Sequence, residues 1–308
     1  MMPIIEIQEL SKTYGAARAL HRITVSLERG QPIGLVGPNG AGKTTLFSLL
    51  CGFLHPTSGT VRVLGHPPLH KALHGRIAIL PQDAALIKTV PIVTQLTFLA
   101  QLQGFTRKKA RQEAQRVLEC VNLHQSGHKS PDLLSHGMLK RAAIAQAFIG
   151  NTELVLLDEP TAGLDPATAG QIRELIRTTA KDRTFIVSSH NLSEIEDICG
   201  SVLILNRGQL TEYKTISDLV ARTTCLTFRL EKPPEKEVEV IFQKLPEVTK
   251  VEIGSVAKQQ LLIHYHESAD KAAHIRIMQV LHQAGIYFLE MSRGQSLENK
   301  VLEITQNK

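Results

Sequence analysis

Residues 33–44 read Ile33-Gly34-Leu35-Val36-Gly37-Pro38-Asn39-Gly40-Ala41-Gly42-Lys43-Thr44, a short apolar run followed at once by a complete G-x-x-x-x-G-K-T phosphate loop. Strand, then glycine loop, then helix is the context that gives this motif its chemistry; without it the bland reading is a glycine turn with an exposed lysine. Glycines at 37, 40 and 42 let the backbone turn tightly, so that N–H groups along the loop, through Asn39, Ala41 and Thr45, converge on phosphate oxygens at the start of a helix beginning near Lys43. The Lys43 ammonium adds a point charge, and the Thr44 hydroxyl is placed to ligate Mg²⁺.

The chain has 308 residues, 43% of them hydrophobic, enough for a large core and for two domains. It contains no apolar run long enough to span a bilayer, and its first residues, Met1-Met2-Pro3-Ile4-Ile5-Glu6, lack the form of a signal peptide, so any membrane role is expected to come through a partner. Cys51, Cys120, Cys199 and Cys225 form no C-x-x-C pair, which suits reduced, buried thiols. The net charge of +6 sits mostly in residues 1–221, with 23 Lys and Arg against 18 Asp and Glu; residues 222–308 carry 12 against 11. Aromatics are only 4% and Trp is absent, so nucleic acid is not an expected partner. The basic run Arg107-Lys108-Lys109-Ala110-Arg111 reads as a solvated helix face.

Residues 4–10 alternate as an edge strand, with 20–27 as their partner, and a strand follows the turn at Thr57-Ser58-Gly59. The segment 76–80 reads as a buried strand closed by Pro81. Helical periods follow over 94–103, 108–121 and 139–148. The continuous apolar runs 154–157 and 184–187, separated by a helix over 168–179, are of the kind a parallel central sheet requires. This is an α/β plan with a helical insertion at about 83–150. After a composition change at 217–224 the order is strand (226–230), helix (234–245), strand (248–253), strand (260–266), helix (270–284), strand (286–291), which predicts a ferredoxin-like βαββαβ sandwich with a closing helix over 296–304. The apolar strand at 260–263 and the helix at 275–281 are expected to pair two copies of the chain side by side.

A phosphate loop alone serves kinases, GTPases and many ATPases; its companions decide the class. Asp158 ends the strand 154–157, where a carboxylate can hold a Mg²⁺ shell, and Glu159 follows where a general base can take a proton from water. On these residues the chain resembles the ATP-binding subunits of ABC transporters over 1 to about 218. Gln82 stands as the Q-loop glutamine, Leu134-Ser135-His136-Gly137-Met138 as the signature, Ala162-Gly163-Leu164-Asp165 as the D-loop, His190 as the switch histidine, and Tyr14 as the adenine-stacking aromatic. The resemblance implies ATP and Mg²⁺ as cofactors, with Thr44, Gln82 and Asp158 toward the metal and Glu159, His190, Gln82 and Asp165 in catalysis. Ser135 and Gly137, read as preceding the helix at 139, would face the nucleotide of a second copy or a homologous ATPase subunit. Polytopic permease subunits would hold the pair at the cytoplasmic face of the membrane.

The signature departs from L-S-G-G-Q at His136 and Met138, which adds a side chain beside the phosphate seat and bears on hydrolysis rate. Its L-S-x-G-M form, and the close Ser296-Leu297-Glu298-Asn299-Lys300-Val301-Leu302, are similar to ABC-2 type exporters. In the insertion, 89–96 lacks the Glu and Arg common in relatives, which implies an apolar contact with the permease. Two other readings remain at this stage: a non-transport ABC ATPase acting on ribosomes or DNA, and an ATP-dependent regulatory module with slow turnover. His66, His70 and His74 recur every four residues, but Pro67-Pro68 interrupts them and no carboxylate or cysteine accompanies them. His264 and His266 are read as solvent-facing.

Overall fold

A computed structural model of the chain describes residues 3–221, 225–234, 237–242, 245–253, 259–266 and 272–293, with Leu297 and Val301. The chain divides into two compact units, Met1–Tyr213 and Lys214–Lys308. The first runs β1 (Ile5–Tyr14), β2 (Ala17–Leu27), β3 (Ile33–Val36), α1 (Lys43–Leu50), β4 (Ser58–Val63), β5 (Ile77–Leu80), α2 (Ile92–Leu102), α3 (Arg107–Cys120), α4 (His136–Ala147), β6 (Leu154–Asp158), α5 (Pro166–Thr179), β7 (Thr184–Ser188), α6 (Leu192–Ile198), β8 (Ser201–Asn206) and β9 (Gln209–Thr215).

Six strands form one sheet in the order β5-β6-β7-β3-β8-β9, parallel from β5 through β8. Strands β3, β6 and β7 are buried along their whole length, as parallel strands covered on both faces must be. Strand β5 is an edge strand, and only Leu80 of it is buried; the expected buried strand is half-exposed because the sheet ends there. A second, antiparallel sheet has the order β2-β1-β4. The first strand of the chain is therefore its middle strand and not an edge, since β4 returns to pair its free side.

Helix α1 carries Leu46, Phe47, Leu49 and Leu50 on one buried face, with Thr44, Thr45 and Ser48 on the other. The apolar side chains share one core with Ile5, Ile7 and Leu10 of the antiparallel sheet and Leu35, Leu156 and Ile186 of the parallel one. Packing on both sheets at once holds the helix that follows the phosphate loop. Helices α2, α3 and α4 form the insertion between β5 and β6. Its basic run lies on α3 with Lys108, Lys109 and Arg111 exposed, as expected for a solvated face.

The second unit holds α7 (Ile216–Ala221), β10 (Cys225–Leu230), α8 (Glu237–Phe242), β11 (Val248–Ile253), β12 (Gln260–Tyr265), α9 (Ala273–Gln283) and β13 (Phe288–Arg293). Its sheet has the order β11-β12-β10-β13, with every neighbouring pair antiparallel. Leu226, Phe228, Leu261 and Ile263 pack with Phe242, Ile277 and Leu281 in its core. Strand β12 pairs on both sides, so it has no free edge for a second copy; Leu261, Leu262 and Ile263 are apolar because they are interior. His264 is not solvent-facing: its side chain is 18% exposed and its Nε2 lies 3.8 Å from Glu252 and 4.0 Å from the Cys225 sulfur. The closing helix at 296–304 lies outside the described residues except for Leu297 and Val301, which are helical and buried.

The insertion is tied together by Glu113 of α3, which accepts from Arg116 and, at 2.7 Å, from the Gly150 amide, while Arg116 also donates to the Phe148 carbonyl at 2.8 Å. The Arg116 guanidinium holds the Glu113 carboxyl below its ordinary value of 4.5. A lowered folded-state value stabilises the protein above the unfolded value, and the contribution is lost as pH falls through the folded one. Glu113→Gln should therefore cost about 1 kcal/mol near neutral pH, since Arg116 is partly solvated. In thermal melts followed from pH 7 to 3 the gap to the wild type should close in acid.

Candidate nucleotide site

Parallel pairing brings the carboxyl ends of three strands to one rim. Leu35 of β3 pairs with Ser188 of β7, and Ser188 pairs with Asp158 of β6. The phosphate loop leaves this rim from β3. Two of its glycines are required by close approach: a Cβ on Gly37 would stand 2.2 Å from the Leu205 carbonyl oxygen, and one on Gly42, at φ +103°, 2.5 Å from the Leu20 side chain. Asn39 and Gly40 are exposed at the loop tip, Ala41 is buried, and Thr45 is half-buried on the first turn of α1.

Lys43 is buried and donates to the loop's own carbonyls, at 2.7 Å to Gly37 and 3.4 Å to Pro38. The Thr44 hydroxyl donates to Asp158 Oδ2 at 3.0 Å, and the Ser188 hydroxyl donates to Asp158 Oδ1 at 2.5 Å. Glu159 is buried in a left-handed backbone conformation, φ +49°, and its amide donates to the Ser188 hydroxyl at 3.0 Å. Its Oε2 lies 2.8 Å from His190 Nδ1, on an imidazole that is 69% exposed. Lys43, Thr44, Asp158, Glu159 and His190 thus gather at one rim.

Other residues named from the sequence stand apart or hold local structure. Gln82 is exposed on the loop after β5 and lines a cavity of 430 Å³ with His136 and Lys140. Tyr14, 46% exposed at the end of β1, has the Lys12 ammonium 5.2 Å from its ring centre. Asp165 caps α5, accepting from the Ala167 and Thr168 amides at 3.1 and 3.0 Å, and hydrogen bonds from Thr168 hold its carboxyl below the ordinary value. Helix α4 starts at His136, earlier than expected: Ser135 is its N-cap, accepting from the Met138 amide at 3.3 Å, and Gly137 lies inside its first turn. A small polar residue followed by a periodic run is the N-cap signal that marks this start.

Three residues escaped the sequence reading. Ser188 is fully buried between Asp158 and Glu159, but a serine before Ser189-His190 carries no signal of its own. Glu194 of α6 accepts from Thr161 at 2.5 Å and Ser189 at 3.3 Å, bracing the segment after Glu159 against the turn before His190. Burial pushes the Lys140 ammonium of α4 down from its ordinary value, against the pull of Asp83, Glu159 and Asp158. Among the described residues no group of His, Cys, Asp and Glu forms a metal cluster; His66 and His70 stack with ring centres 4.6 Å apart.

Comparison with known proteins gives the same assignment. The family description ABC transporter matches residues 20–162. The bacitracin transport ATP-binding protein BcrA of Bacillus licheniformis is 36% identical over 216 residues, 69% of this chain and 70% of that protein. The chain belongs to the ABC transporter ATP-binding family. YcbN of Bacillus subtilis, described as an uncharacterized ABC transporter ATP-binding protein, is 29% identical over 96% of this chain and 99% of its own length. The structure of cbiO1 from Clostridium perfringens, part of the ABC transporter complex cbiONQ, superposes with a TM-score of 0.66 at 26% identity, covering 80% of this chain and 97% of that one. The chain is accordingly an ATP-binding, ATP-hydrolysing subunit of an ABC transporter, and among the described residues no helix is long and apolar enough to cross a membrane.

In this ABC subunit Gly137 has a packing reason. A Cβ on Gly137 would meet Thr168 Cγ2 at 2.5 Å, so the first turns of α4 and α5 touch where a methyl group does not fit. Gly137→Ala should destabilise the protein by about 1–3 kcal/mol, as overpacking does. Adding Thr168→Ser, which removes the opposing methyl, should recover part of that loss in denaturant titrations of the single and double variants.

Proposed function

We propose that the chain is the ATPase subunit of an ABC-2 type exporter, lying on the cytoplasmic face of the membrane and powering separate polytopic permease subunits. The site reading is carried by the rim itself, where Thr44 and Asp158 stand 3.0 Å apart and Glu159 and His190 2.8 Å apart. Export is supported by the L-S-x-G-M form of the signature and by the likeness to a bacitracin transport ATP-binding protein.

A hydroxyl and a carboxylate side by side form an all-oxygen donor set that fits a hard divalent ion such as Mg²⁺, which prefers oxygen ligands. Thr44 and Asp158 would hold Mg²⁺, whose charge when bound would offset that of the phosphate oxygens. Lys43 would turn its donors from the Gly37 and Pro38 carbonyls to the β- and γ-phosphates, beside the loop amides. Glu159 would take a proton from the attacking water on its Oε1, because Oε2 is engaged by His190; the water oxygen bonds to the γ-phosphorus as the bridge to ADP breaks. His190 would hold the base in line and reach the γ-phosphate. Gln82 would sense the metal and water, Tyr14 would stack on the adenine, and Asp165 would order the segment beside the base.

Ser135 and Gly137 would serve the ATP of a second copy or a homologous subunit. The apolar residues expected at 89–96 to meet the permease are largely turned inward, with Ile92 and Leu96 buried; an apolar cavity of 470 Å³ lined by Leu50, Phe53, Leu69 and Leu102 is instead where a helix of the permease would dock. Leu102 is 68% exposed there, an apolar side chain with reason to be covered. For the second unit, the strand order 4-1-3-2 of its antiparallel sheet supports a ferredoxin-like domain within the expected 222–308; the compact unit that holds it begins at Lys214, so the expected ATPase domain over 1–221 ends eight residues sooner, at Tyr213.

Two substitutions test the reading by differing in kind. Lys43→Ala should weaken ATP binding at equilibrium, while Glu159→Gln should bind ATP as the wild type does but turn over at least about a hundredfold more slowly, the lower range for losing a general base. Unchanged affinity in the first, or near wild-type hydrolysis in the second, would remove the corresponding role. For the partner surface, Leu102→Glu should abolish co-purification with the co-expressed permease while the isolated subunit keeps its ATPase rate.

A further inference from the structure

We infer that Ser188 is a positioning residue that sets the metal-facing carboxylate and the general base with a single hydroxyl; this rests on the site reading above. Ser188 ends β7, the strand lying between β6 and β3, and pairs with Asp158 on one side and Leu35 on the other. Its side chain is fully buried, so no water competes for its hydrogen bonds. Its one proton is committed to Asp158 Oδ1 at 2.5 Å, and its oxygen accepts the Glu159 amide at 3.0 Å. The Ser188 carbonyl takes the same amide at 3.2 Å, so Glu159 is held from two directions.

The two oxygens of Asp158 consequently have different standing. Oδ2 is bonded to Thr44, whose hydroxyl must turn away to face a cation; Oδ1 is bonded to Ser188, whose one proton is committed to it and keeps the carboxylate from rotating as Thr44 leaves. On the other side, the left-handed backbone of Glu159 is unfavourable for a residue with a Cβ and persists only where neighbours impose it. The hydrogen bond its N–H donates to Ser188 is one such constraint, and it helps aim the Glu159 carboxylate at His190. A serine that merely filled a buried gap would not have both hydrogen-bonding capacities spent on the two chemically active residues.

The full chain carrying Ser188→Ala tests this through the metal. ATP affinity is measured once with Mg²⁺ and once with EDTA, alongside turnover and amide exchange in the peptide containing Glu159. The gain in ATP affinity due to Mg²⁺ and the turnover should each fall about 10- to 100-fold, the cost typical of losing an outer-shell partner of a metal ligand. Affinity in EDTA should hold and exchange at Glu159 should speed up. Ser188→Thr, which keeps the hydroxyl, should recover most of the loss. If Ser188→Ala fails to fold, Ser188→Cys, with a weaker donor, carries the same expectation. A Ser188→Ala or Ser188→Cys protein with wild-type Mg²⁺ gain and turnover overturns the inference, as does a threonine variant no better than alanine. Glu159→Gln measured in parallel separates the levels: if it too hydrolyses normally the site reading fails, and if it alone is inactive only the role of Ser188 falls.

Discussion

Parallel pairing of β6, β7 and β3 is the constraint on which the rest of the molecule depends. Strands in parallel register end level, so the phosphate loop, Asp158 and Ser188 emerge side by side with no loop having to reach across. Register of this kind is set by burial on both faces, because a slip by one residue would drive the alternating side chains of Val155, Leu157 and their neighbours into the wrong layer. The polar end of the rim is therefore held in place by the apolar strands behind it. Helix α1 completes the arrangement by packing on both sheets, which fixes the direction in which the loop amides point.

Much of this was legible because the chemistry needs unusual residue combinations. A G-x-x-x-x-G-K-T run behind an apolar strand, and an Asp-Glu pair at the end of another, have few other uses, and each falls where the period of the sequence places a strand end. The helical insertion was legible from its change of period. Its exact start was less so: α4 begins at His136 because Ser135 caps it, and a glycine at 137 disguised the first turn.

What escaped is what depends on pairing between distant segments. Nothing within residues 4–10 says whether a second strand will cover their free side; β4, some fifty residues later, makes β1 a middle strand. For the same reason an apolar run at 260–263 reads as a surface for pairing two copies when it is the interior of a sheet, and His264 reads as exposed when Cys225 and Glu252 lie beside it. Ser188 was invisible on the same ground. A buried serine announces its role only through the two residues it touches, thirty positions away in sequence.

The left-handed backbone at Glu159 bears on how this protein can be improved. Such a conformation in a residue with a side chain beyond Cβ costs on the order of 1 kcal/mol or more, and glycine or asparagine would adopt it with less strain. Any search for thermostable variants that scores folding alone will be drawn to this position and will discard the carboxylate there. If Glu159 is the base proposed above, the stability forgone at residue 159 goes with turnover, and robust versions are to be sought elsewhere, in the loops and surface of the insertion.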